Sequence, residues 1–467
     1  MAQRIQFMGQ DIVPAKVDGP ADVFSNTSFV LVKPSWVSDE AVSSCVLCSN
    51  KFNQIRRKHH CRVCGKVLCN KCCKEKIPLP QLGLSEPERV CDGCRDVTQF
   101  VTQAYSTLPE FQKISAKGLA KLAKAPESVG KVVELGGMQT LISLVKTNVD
   151  DVDEGISAGL HSLSTYPQLH LLLAEAGAIK ALCRCIFRAR AEQTTLLVDG
   201  ISALMIFCKS PDLKIRAIEE GALQPVMGLC TSLDPAVSLM AVSTLSLIVE
   251  HPGTHHAVIE NARDALPRIL SLTASSDEQM QEVALKTLCH LSLGTEWHRH
   301  RIVQEDFTSG KSLQKAINSR PKNEQILCNA ACLIANLATS DEDQNSLHDL
   351  LDSLCVLLTT KSSNKELTCT IARALANFAQ HPQTSSKVMT HMGDIVNKCL
   401  KSDHPKTKLN GVRAIVHLLR HSRHVTIQEL LRNGAGEFLD ALASVPALIG
   451  SLITSLTGTV PERAWPM

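Results

Sequence analysis

Apolar side chains recur at helical spacing over most of this chain. Beyond about Phe100, the stretch FVTQAYSTLPEFQKISAKGLAKLA places them on one face, which predicts a linking helix over residues 99–124. Residues 1–35 lack such periodicity and contain turn-prone Gly-Pro and Ser-Asn pairs, so we expect a mobile leader there. Residues 461–467 are assigned to a tail. Aromatic residues make up only 3% of the chain, which also favours helices over strands.

From residue 125 to residue 460 the chain repeats a short pattern about every 40 to 44 residues. Three of its lines are ELGGMQTLISLV, EAGAIKALCRCI and EEGALQPVMGLC, which begin at Glu134, Glu175 and Glu219. A unit of this length is a pair or triplet of helices that cannot bury its apolar face alone, so neighbouring units stack. The pattern therefore predicts a mostly α fold built as a solenoid.

The run NEQILCNAACLIANLA, from Asn323 to Ala338, resembles the third helix of an armadillo repeat. HEAT repeats have a similar length and composition, but glycine between the first two helices favours the armadillo class. The resemblance implies an armadillo-like α-solenoid with a groove for a protein partner. Asparagines of such grooves hydrogen-bond the backbone of an extended peptide. The corresponding groove of this chain comprises Asn336, Arg373, Asn377 and Arg413, whose amide and basic character suits an acidic peptide.

The net charge of +3 over 467 residues is too small to imply a nucleic-acid partner, so any basic function has to come from local clustering. One such cluster runs from Lys51 to Lys76, where Glu75 is the only acidic residue. The N-terminus has no apolar stretch behind a charged start, so it does not resemble a secretory signal, and we expect a cytoplasmic protein. Its 19 cysteines are then expected to be thiols or metal ligands.

Eight of the cysteines form four C-x2-C pairs in and around the basic cluster. The pairs are Cys45/Cys48, Cys61/Cys64, Cys69/Cys72 and Cys91/Cys94. Each pair presents two sulfurs to one tetrahedral zinc, so the eight thiolates suit two zinc ions. Coordination shells closed in this way are structural rather than catalytic. Cys73 falls outside the pattern and is expected to be a free thiol.

The string RRKHHCRVCG, from Arg56 to Gly65, resembles the basic motif of FYVE zinc fingers, a family that binds phosphatidylinositol 3-phosphate. Trp36 and Asp39 match the W-x-x-D of that family, and Arg89-Val90-Cys91 matches its R-V-C. The resemblance implies a small cross-braced finger over residues 36–98. In such a finger one zinc would be held by Cys45, Cys48, Cys69 and Cys72, and the other by Cys61, Cys64, Cys91 and Cys94.

The same resemblance implies which side chains meet the lipid. Arginine offers a planar fork that fits a phosphate, and Lys58, at the place of a second arginine, can still act as a point charge. His60 and Asp39 resemble the groups that contact the inositol hydroxyls, and Ile55 is the only apolar residue at the loop tip that could enter a membrane. The implied phosphoinositide site comprises Asp39, Arg57, Lys58, His59, His60, Arg62 and Arg89.

These features together predict a non-enzymatic adaptor, peripheral on the endosome membrane, because no nucleophile and base register with one another. A RING-like ubiquitin ligase is the alternative, since RING domains also interleave two zincs, although they normally include a histidine ligand. A nuclear-import adaptor is disfavoured because Cys332 and Arg373 stand where that class has tryptophan. The uncharged segment from Ala441 to Val460 is expected to be a last capping helix rather than a tail anchor.

Overall fold

The structure is a computed structural model of the chain, and it describes residues 4–25, 29–260, 265–308, 310–319, 321–361 and 363–438. The chain divides into two compact units, Met1–His251 and Pro252–Met467. Buried apolar side chains, mostly leucine, valine, isoleucine and alanine, fill the interior of both units.

The N-terminal segment, expected to be a mobile leader, is instead folded where the structure describes it. Strands β1 (Ile5–Phe7) and β2 (Gln10–Ile12) form an antiparallel hairpin with a two-residue turn. Phe7 and Ile12 are buried, and the Phe7 ring centroid lies 5.1 Å from that of Tyr166. The expectation was wrong because these apolar positions are too few to show a period, yet Phe7 packs against Tyr166 and Ile12 lies close to Gly130, both far along the chain.

The finger that comes next consists of two hairpins and a helix. Strand β3 (Lys58–His60) pairs antiparallel with β4 (Val67–Cys69), and β5 (Glu75–Leu79) pairs antiparallel with β6 (Leu84–Val90). Helix α1 (Asp92–Gln103) begins directly after the last strand. All of these elements except α1 are short, so the finger has little apolar core of its own and depends on cross-links for its fold.

The remaining helices of the first unit are mostly short, and a longer one closes each repeat. They are α2 (Pro109–Lys124), α3 (Pro126–Glu134), α4 (Gly137–Leu144), α5 (Asp150–Ser164), α6 (His170–Glu175), α7 (Ala178–Arg188), α8 (Thr194–Cys208), α9 (Pro211–Glu219), α10 (Leu223–Leu229) and α11 (Pro235–Ile248). Gly136, Gly177 and Gly221 have φ values of +86°, +93° and +90° at the bends between two short helices, where a side chain would be strained. The long helices α2, α5, α8 and α11 pack in succession.

The second unit is also made of packed helices. They are α12 (His255–Glu260), α13 (Ala265–Leu272), α14 (Glu278–Ser292), α15 (Glu296–Thr308), α16 (Ser312–Ile317), α17 (Gln325–Leu337), α18 (Gln344–Thr360), α19 (Lys365–Ala379), α20 (Pro382–Thr390), α21 (Met392–Asp394), α22 (Pro405–His421) and α23 (Arg423–Arg432). A π-helical stretch, Ile395–Leu400, follows α21. The long helices α14, α17, α19 and α22 pack in succession, which places equivalent side chains of neighbouring repeats side by side.

The segment predicted as one linking helix over residues 99–124 is two helices. Helix α1 ends at Gln103 and α2 begins at Pro109, with Leu108 extended at φ −86° and ψ 120°. Proline at the first helical position lacks only an N–H that would have no partner, and it keeps the preceding residue out of helical conformation. The apolar spacing continued across this break, so periodicity alone did not reveal it.

The predicted capping helix at 441–460 and the tail at 461–467 lie outside the described residues. Among the helices that the structure describes, no single one is long and apolar enough to cross a membrane. One bent pair, Pro235–Ile248 with Pro252–Glu260, reaches that length and composition only when the two helices are taken together.

Candidate metal centres and basic surface of the finger

Two groups of four cysteines converge in the finger. Their sulfur atoms lie within 4.8 Å of one another in each group, and the groups are Cys45, Cys48, Cys69, Cys72 and Cys61, Cys64, Cys91, Cys94. The Sγ atoms of Cys48 and Cys69 are 3.8 Å apart, and those of Cys64 and Cys91 are 3.9 Å apart. The interleaved arrangement that the family resemblance implied is therefore present.

The chemistry of both groups fits zinc. Four thiols and no other donor make a tetrahedral Zn(Cys)4 shell, which has no open position for water. Hydrogen bonds from the backbone N–H and from the side-chain amide of Asn50 lower the pKa of the Cys48 thiol to about 6, so the thiolate that zinc requires is favoured. The backbone N–H of Cys91 likewise donates to Cys61 Sγ at 3.4 Å. The finger accommodates two structural zinc ions.

Cys73 is buried close to Cys61 but belongs to neither group. Its backbone carbonyl accepts a hydrogen bond of 2.7 Å from Arg89 Nη1. The residue therefore contributes its backbone to the basic surface, and its side chain fills space beside the second metal centre.

Trp36 organises the basic surface by stacking on it. Its ring lies 4.6 Å from that of His60 at an interplanar angle of 15°, and the Arg62 guanidinium carbon lies 4.5 Å from its centroid. The chain reaches this position by passing over Gly65, where a Cβ would lie 2.2 Å from the carbonyl oxygen of Ser35. The W-x-x-D and C-R-V-C-G motifs are thus two sides of one packed layer.

Asp39 lies across from the basic strand β3. Its backbone carbonyl accepts a hydrogen bond from Lys58 Nζ, and its Oδ1 is 3.8 Å from His60 Nε2. The same His60 nitrogen lies 2.8 Å from the carbonyl oxygen of Val37. The structure therefore brings Asp39, Lys58 and His60 together, as the resemblance implied.

Arg62 and Arg89 are joined through their backbones, since Arg62 N donates to the Arg89 carbonyl at 2.9 Å. Arg62 Nε also lies 3.0 Å from Glu88 Oε2, and Arg89 Nη1 donates to Asn70 Oδ1 at 2.9 Å. Sequence reasoning missed both polar partners. Glu88 directly precedes Arg89 in the sequence, but that adjacency does not indicate a contact with Arg62.

His59 sits among cations. Burial, followed by the charges of Arg89 and Arg57, lowers the pKa of His59 below its usual value. Its imidazole is therefore neutral near pH 7. Since Arg57 itself is exposed, the motif keeps one guanidinium at the surface and two others anchored by hydrogen bonds.

A tight turn presents Ile55 to solvent, where 95% of the residue is exposed. The Asn53 side-chain oxygen accepts hydrogen bonds from the backbone N–H groups of Ile55, at 3.0 Å, and Arg56, at 2.7 Å. Arg56 Nη1 donates to the Lys51 carbonyl at 3.2 Å and ties the two sides of the loop. The loop tip is consequently ordered before it meets any partner.

The four residues of the predicted peptide groove form one ladder in the second unit. Asn336 Nδ2 donates to Ser292 Oγ at 2.9 Å, and its Oδ1 accepts from Arg373 Nη1 at 2.9 Å. Asn377 repeats this arrangement by donating to a backbone carbonyl at 2.7 Å and accepting from Arg413 Nη2 at 3.3 Å. Both asparagines are buried, so the half-buried arginines form the accessible part of the groove.

The geometry defines a zinc-finger protein with helical repeats. Residues 35–99 match the family model of the FYVE zinc finger, so this segment is a FYVE zinc finger rather than the RING alternative. Similar proteins include vacuolar protein sorting-associated protein 27 of Eremothecium gossypii, 35% identical over 100 residues that make up 21% of this chain and 16% of the relative. The protein of the same name from Saccharomyces cerevisiae is 51% identical over 59 residues, which are 13% and 9% of the two chains. The chain spans no more than 16% of the curated relatives named here.

Solved structures match the helical part. An engineered protein superposes with a TM-score of 0.57 at 23% identity, over 79% of this chain and 86% of its own. A computationally designed armadillo repeat protein for modular peptide recognition is 19% identical, with a TM-score of 0.43 over 51% and 98% of the two chains. The prediction of a mostly α, armadillo-like solenoid preceded by a cross-braced two-zinc finger is confirmed.

Proposed function

We propose that this protein is a peripheral membrane adaptor that binds phosphatidylinositol 3-phosphate on the cytoplasmic face of endosomes. The observation that carries the proposal is the 2.9 Å backbone hydrogen bond from Arg62 to Arg89, which holds two guanidinium groups on adjacent segments. A phosphomonoester carries close to two negative charges and three acceptor oxygens, and a pair of arginine forks matches both features.

Donors remain on both arginines for such a phosphate. Arg62 uses Nε toward Glu88 and Nη1 toward the His60 carbonyl, whereas a guanidinium has five N–H donors. Arg57 and Lys58 add charge from the same strand region. A bound phosphate would therefore share the Arg62 guanidinium with Glu88. It would interact with part of the positive charge of Arg62 that the Glu88 carboxylate neutralises in its absence.

The inositol ring would lie between the phosphate site and Asp39. Asp39 accepts hydrogen bonds, His60 can donate one, and the two side chains are 3.8 Å apart. Such a pair suits neighbouring hydroxyls, which both donate and accept. Ile55 and the lysines around it would then face the bilayer. A single apolar side chain and several cations give only weak binding to a bilayer.

Vesicle binding by the full chain and its Arg62→Ala variant tests this proposal. The vesicles contain phosphatidylcholine and phosphatidylserine, with phosphatidylinositol 3-phosphate or with phosphatidylinositol. Loss of one charged hydrogen-bonding group is expected to weaken binding to the phosphorylated lipid by about tenfold or more, because such bonds contribute about 1.5 to 3 kcal/mol. Zinc content should not change.

Arg95→Ala is the matched control, since Arg95 lies in the same finger and its ion pairs within the described residues are local ones with Asp92 and Asp96. It removes the same charge without touching the site. Equal binding by Arg62→Ala and Arg95→Ala would reject the phosphate role. Equal binding to the two lipids by the unmodified protein would reject the lipid specificity.

We propose in addition that the second unit holds a protein partner through the groove of Asn336, Arg373, Asn377 and Arg413. Among the described residues, no carboxylate pairs with either arginine, so an extended acidic segment would supply carboxylates that pair with them. The buried asparagines would act by holding the guanidinium groups in place. This proposal revises the expectation that the asparagines themselves contact the peptide.

The groove is tested by endosomal recruitment in cells. Joint replacement of Arg373 and Arg413 by alanine should reduce recruitment while vesicle binding stays unchanged, because the finger is untouched. Asn336→Ala with Asn377→Ala should reduce it as well, since both arginines lose a hydrogen bond. Arg423→Ala, at an exposed position in the same unit, is the control. Wild-type recruitment of both double variants would remove the groove from the account.

A further inference from the structure

One row of side chains runs along the long helices of the second unit and has no part in the proposed lipid site. Cys289, Cys332, Arg373 and Arg413 occupy equivalent positions on α14, α17, α19 and α22, spaced by 43, 41 and 40 residues. The two cysteines are half-buried, unlike most cysteines of the helical repeats. Along this row the side chains change from thiols to guanidinium groups, so the Cys332 thiol lies next to the Arg373 cation.

Arg373 contacts Cys332 directly. Its Nη2 donates to Cys332 Sγ at 3.2 Å and to the Cys332 carbonyl at 3.3 Å, while Nη1 donates to Asn336. Within the described part of the chain Arg373 forms no ion pair with a carboxylate, so the sulfur is its anionic neighbour. A guanidinium in this position stabilises a thiolate over a thiol.

Cys289 contacts the turn of α17 that precedes Cys332. Its Sγ donates to the Asn329 carbonyl at 3.2 Å, and Asn329 is one helical turn before Cys332. The neighbouring Cys289 thiol, followed by the charge of Arg373, lowers the pKa of Cys332 to about 6, while the pKa of Cys289 is raised. One sulfur of the pair is thus anionic near pH 7, and the other keeps its proton.

We propose that Cys332 is an oxidant-sensitive nucleophile and that Cys289 is the thiol that resolves its oxidised form into a reversible disulfide. The Cys332 thiolate attacks a hydroperoxide, the O–O bond breaks, and the leaving hydroxide or alkoxide takes a proton. This step oxidises the sulfur by two electrons to a sulfenic acid. Cys289 then attacks that sulfur, the S–O bond breaks, and the Cys289 proton leaves with the hydroxide as water.

Disulfide formation would change the groove as well as the cysteines. The Cys332 sulfur loses its negative charge, so Arg373 loses the anion that balances it. The guanidinium is then free to bind an acidic group from a partner. This consequence rests on the proposed groove, whereas the reactivity of Cys332 stands without it.

The pH dependence of alkylation tests the nucleophile in the full-length, zinc-loaded chain. Iodoacetamide labelling is followed by peptide mass spectrometry, which separates Cys332 from Cys328 on the same helix. Burial raises the pKa of Cys328 to about 12, and that residue serves as the internal control. Labelling of Cys332 should rise with a midpoint between about pH 6 and 7, instead of near 8.5 for an ordinary thiol.

Arg373→Met should move that midpoint upward by about one pH unit, and Arg373→Lys should restore part of the shift, which a purely structural role would not do. A Cys332 midpoint above about 8.5, or labelling no faster than that of Cys328, would overturn the proposal.

The resolving step is tested by hydrogen peroxide treatment and non-reducing peptide mapping. A peptide pair linking Cys289 to Cys332 is expected, and a thiol reductant should reverse it. In Cys289→Ser, the oxidised Cys332 should instead be trapped by dimedone as a sulfenic acid. Absence of the linked peptides in the unmodified chain would reject Cys289 as the partner. Unchanged endosomal recruitment on oxidation would reject the link to the groove only.

Discussion

Replacing Ile55 by glutamine gives the sharpest test of how the finger meets a bilayer. Ile55 is 95% exposed, and its neighbours at the loop tip, Asn53 and Gln54, are polar. The variant changes an apolar side chain for a polar one of similar length. The Asn53 side chain bonds only to backbone N–H groups in this loop, so the turn should persist.

The expected loss of vesicle affinity follows from the exposure of Ile55. Because nearly the whole isoleucine surface is in water before binding, insertion can remove nearly all of it, which is worth about 1.5 to 3 kcal/mol. Partial insertion into the interfacial region gives the lower part of that range. A loss of about tenfold in vesicle affinity is expected, since about 1.4 kcal/mol corresponds to tenfold. Ile55→Leu should retain the affinity of the unmodified protein.

Co-sedimentation with vesicles containing phosphatidylinositol 3-phosphate measures the change. Leu233→Gln is the matched control, because Leu233 is 96% exposed in the helical part of the same unit. Binding of a soluble, short-chain form of the lipid should be equal for all variants, since the headgroup site is intact. Vesicle affinity of Ile55→Gln within a factor of two of the control would refute the insertion argument.

Three further predictions concern charge, metal and pH. Glu88→Gln should tighten vesicle binding about two- to fivefold, because it frees the Arg62 guanidinium from an ion pair that is about one-third exposed and worth about 0.5 to 1 kcal/mol. Glu86→Gln, on the same strand, should change vesicle binding less. Cys64→Ser should unfold the finger, since closed Zn(Cys)4 binding is coupled to folding. Metal analysis should then find fewer than two zinc ions per chain, and retention of both ions would contradict the assigned ligands. Burial, and then the charge of Arg413, lowers the pKa of His417 to about 4, so the unfolded state takes up a proton first as pH falls below about 6.5. Stability of the second unit should drop by about 2 kcal/mol between about pH 7 and 5 in urea unfolding, and His417→Leu should lack that component; equal pH dependence in both proteins would show that His417 does not contribute.

Metal-ligand spacing and fold class could be predicted from sequence because each rests on a local rule. Four C-x2-C pairs predict two zinc ions, and a period of about 40 residues predicts stacked helices. The pairing of the cysteines was different in kind, since spacing allowed more than one arrangement. Only the family resemblance selected the interleaved one, which the structure then showed.

Non-local partners could not be predicted in this way. Glu88 neutralises part of Arg62 because Arg62 N bonds to the Arg89 carbonyl, and no sequence rule sets that contact between segments 27 residues apart. The groove shows the same limit. Asn336 stands at the expected register position, yet its amide is committed to Ser292 and Arg373, which depends on the spacing of neighbouring helices.

The folded N-terminal segment changes how the finger should act on a membrane. Leu31 N donates to the Gln81 carbonyl of the finger at 2.7 Å, and Tyr105 Oη donates to the Phe29 carbonyl at 2.6 Å. Further back, Ala15 N donates to the Val133 carbonyl in the first repeat at 3.0 Å. One segment therefore ties the finger to the helices behind it within the first compact unit. A finger held in this way cannot reorient freely, so the Ile55 loop and the proposed phosphate site would meet a bilayer in an orientation that also positions the first repeats.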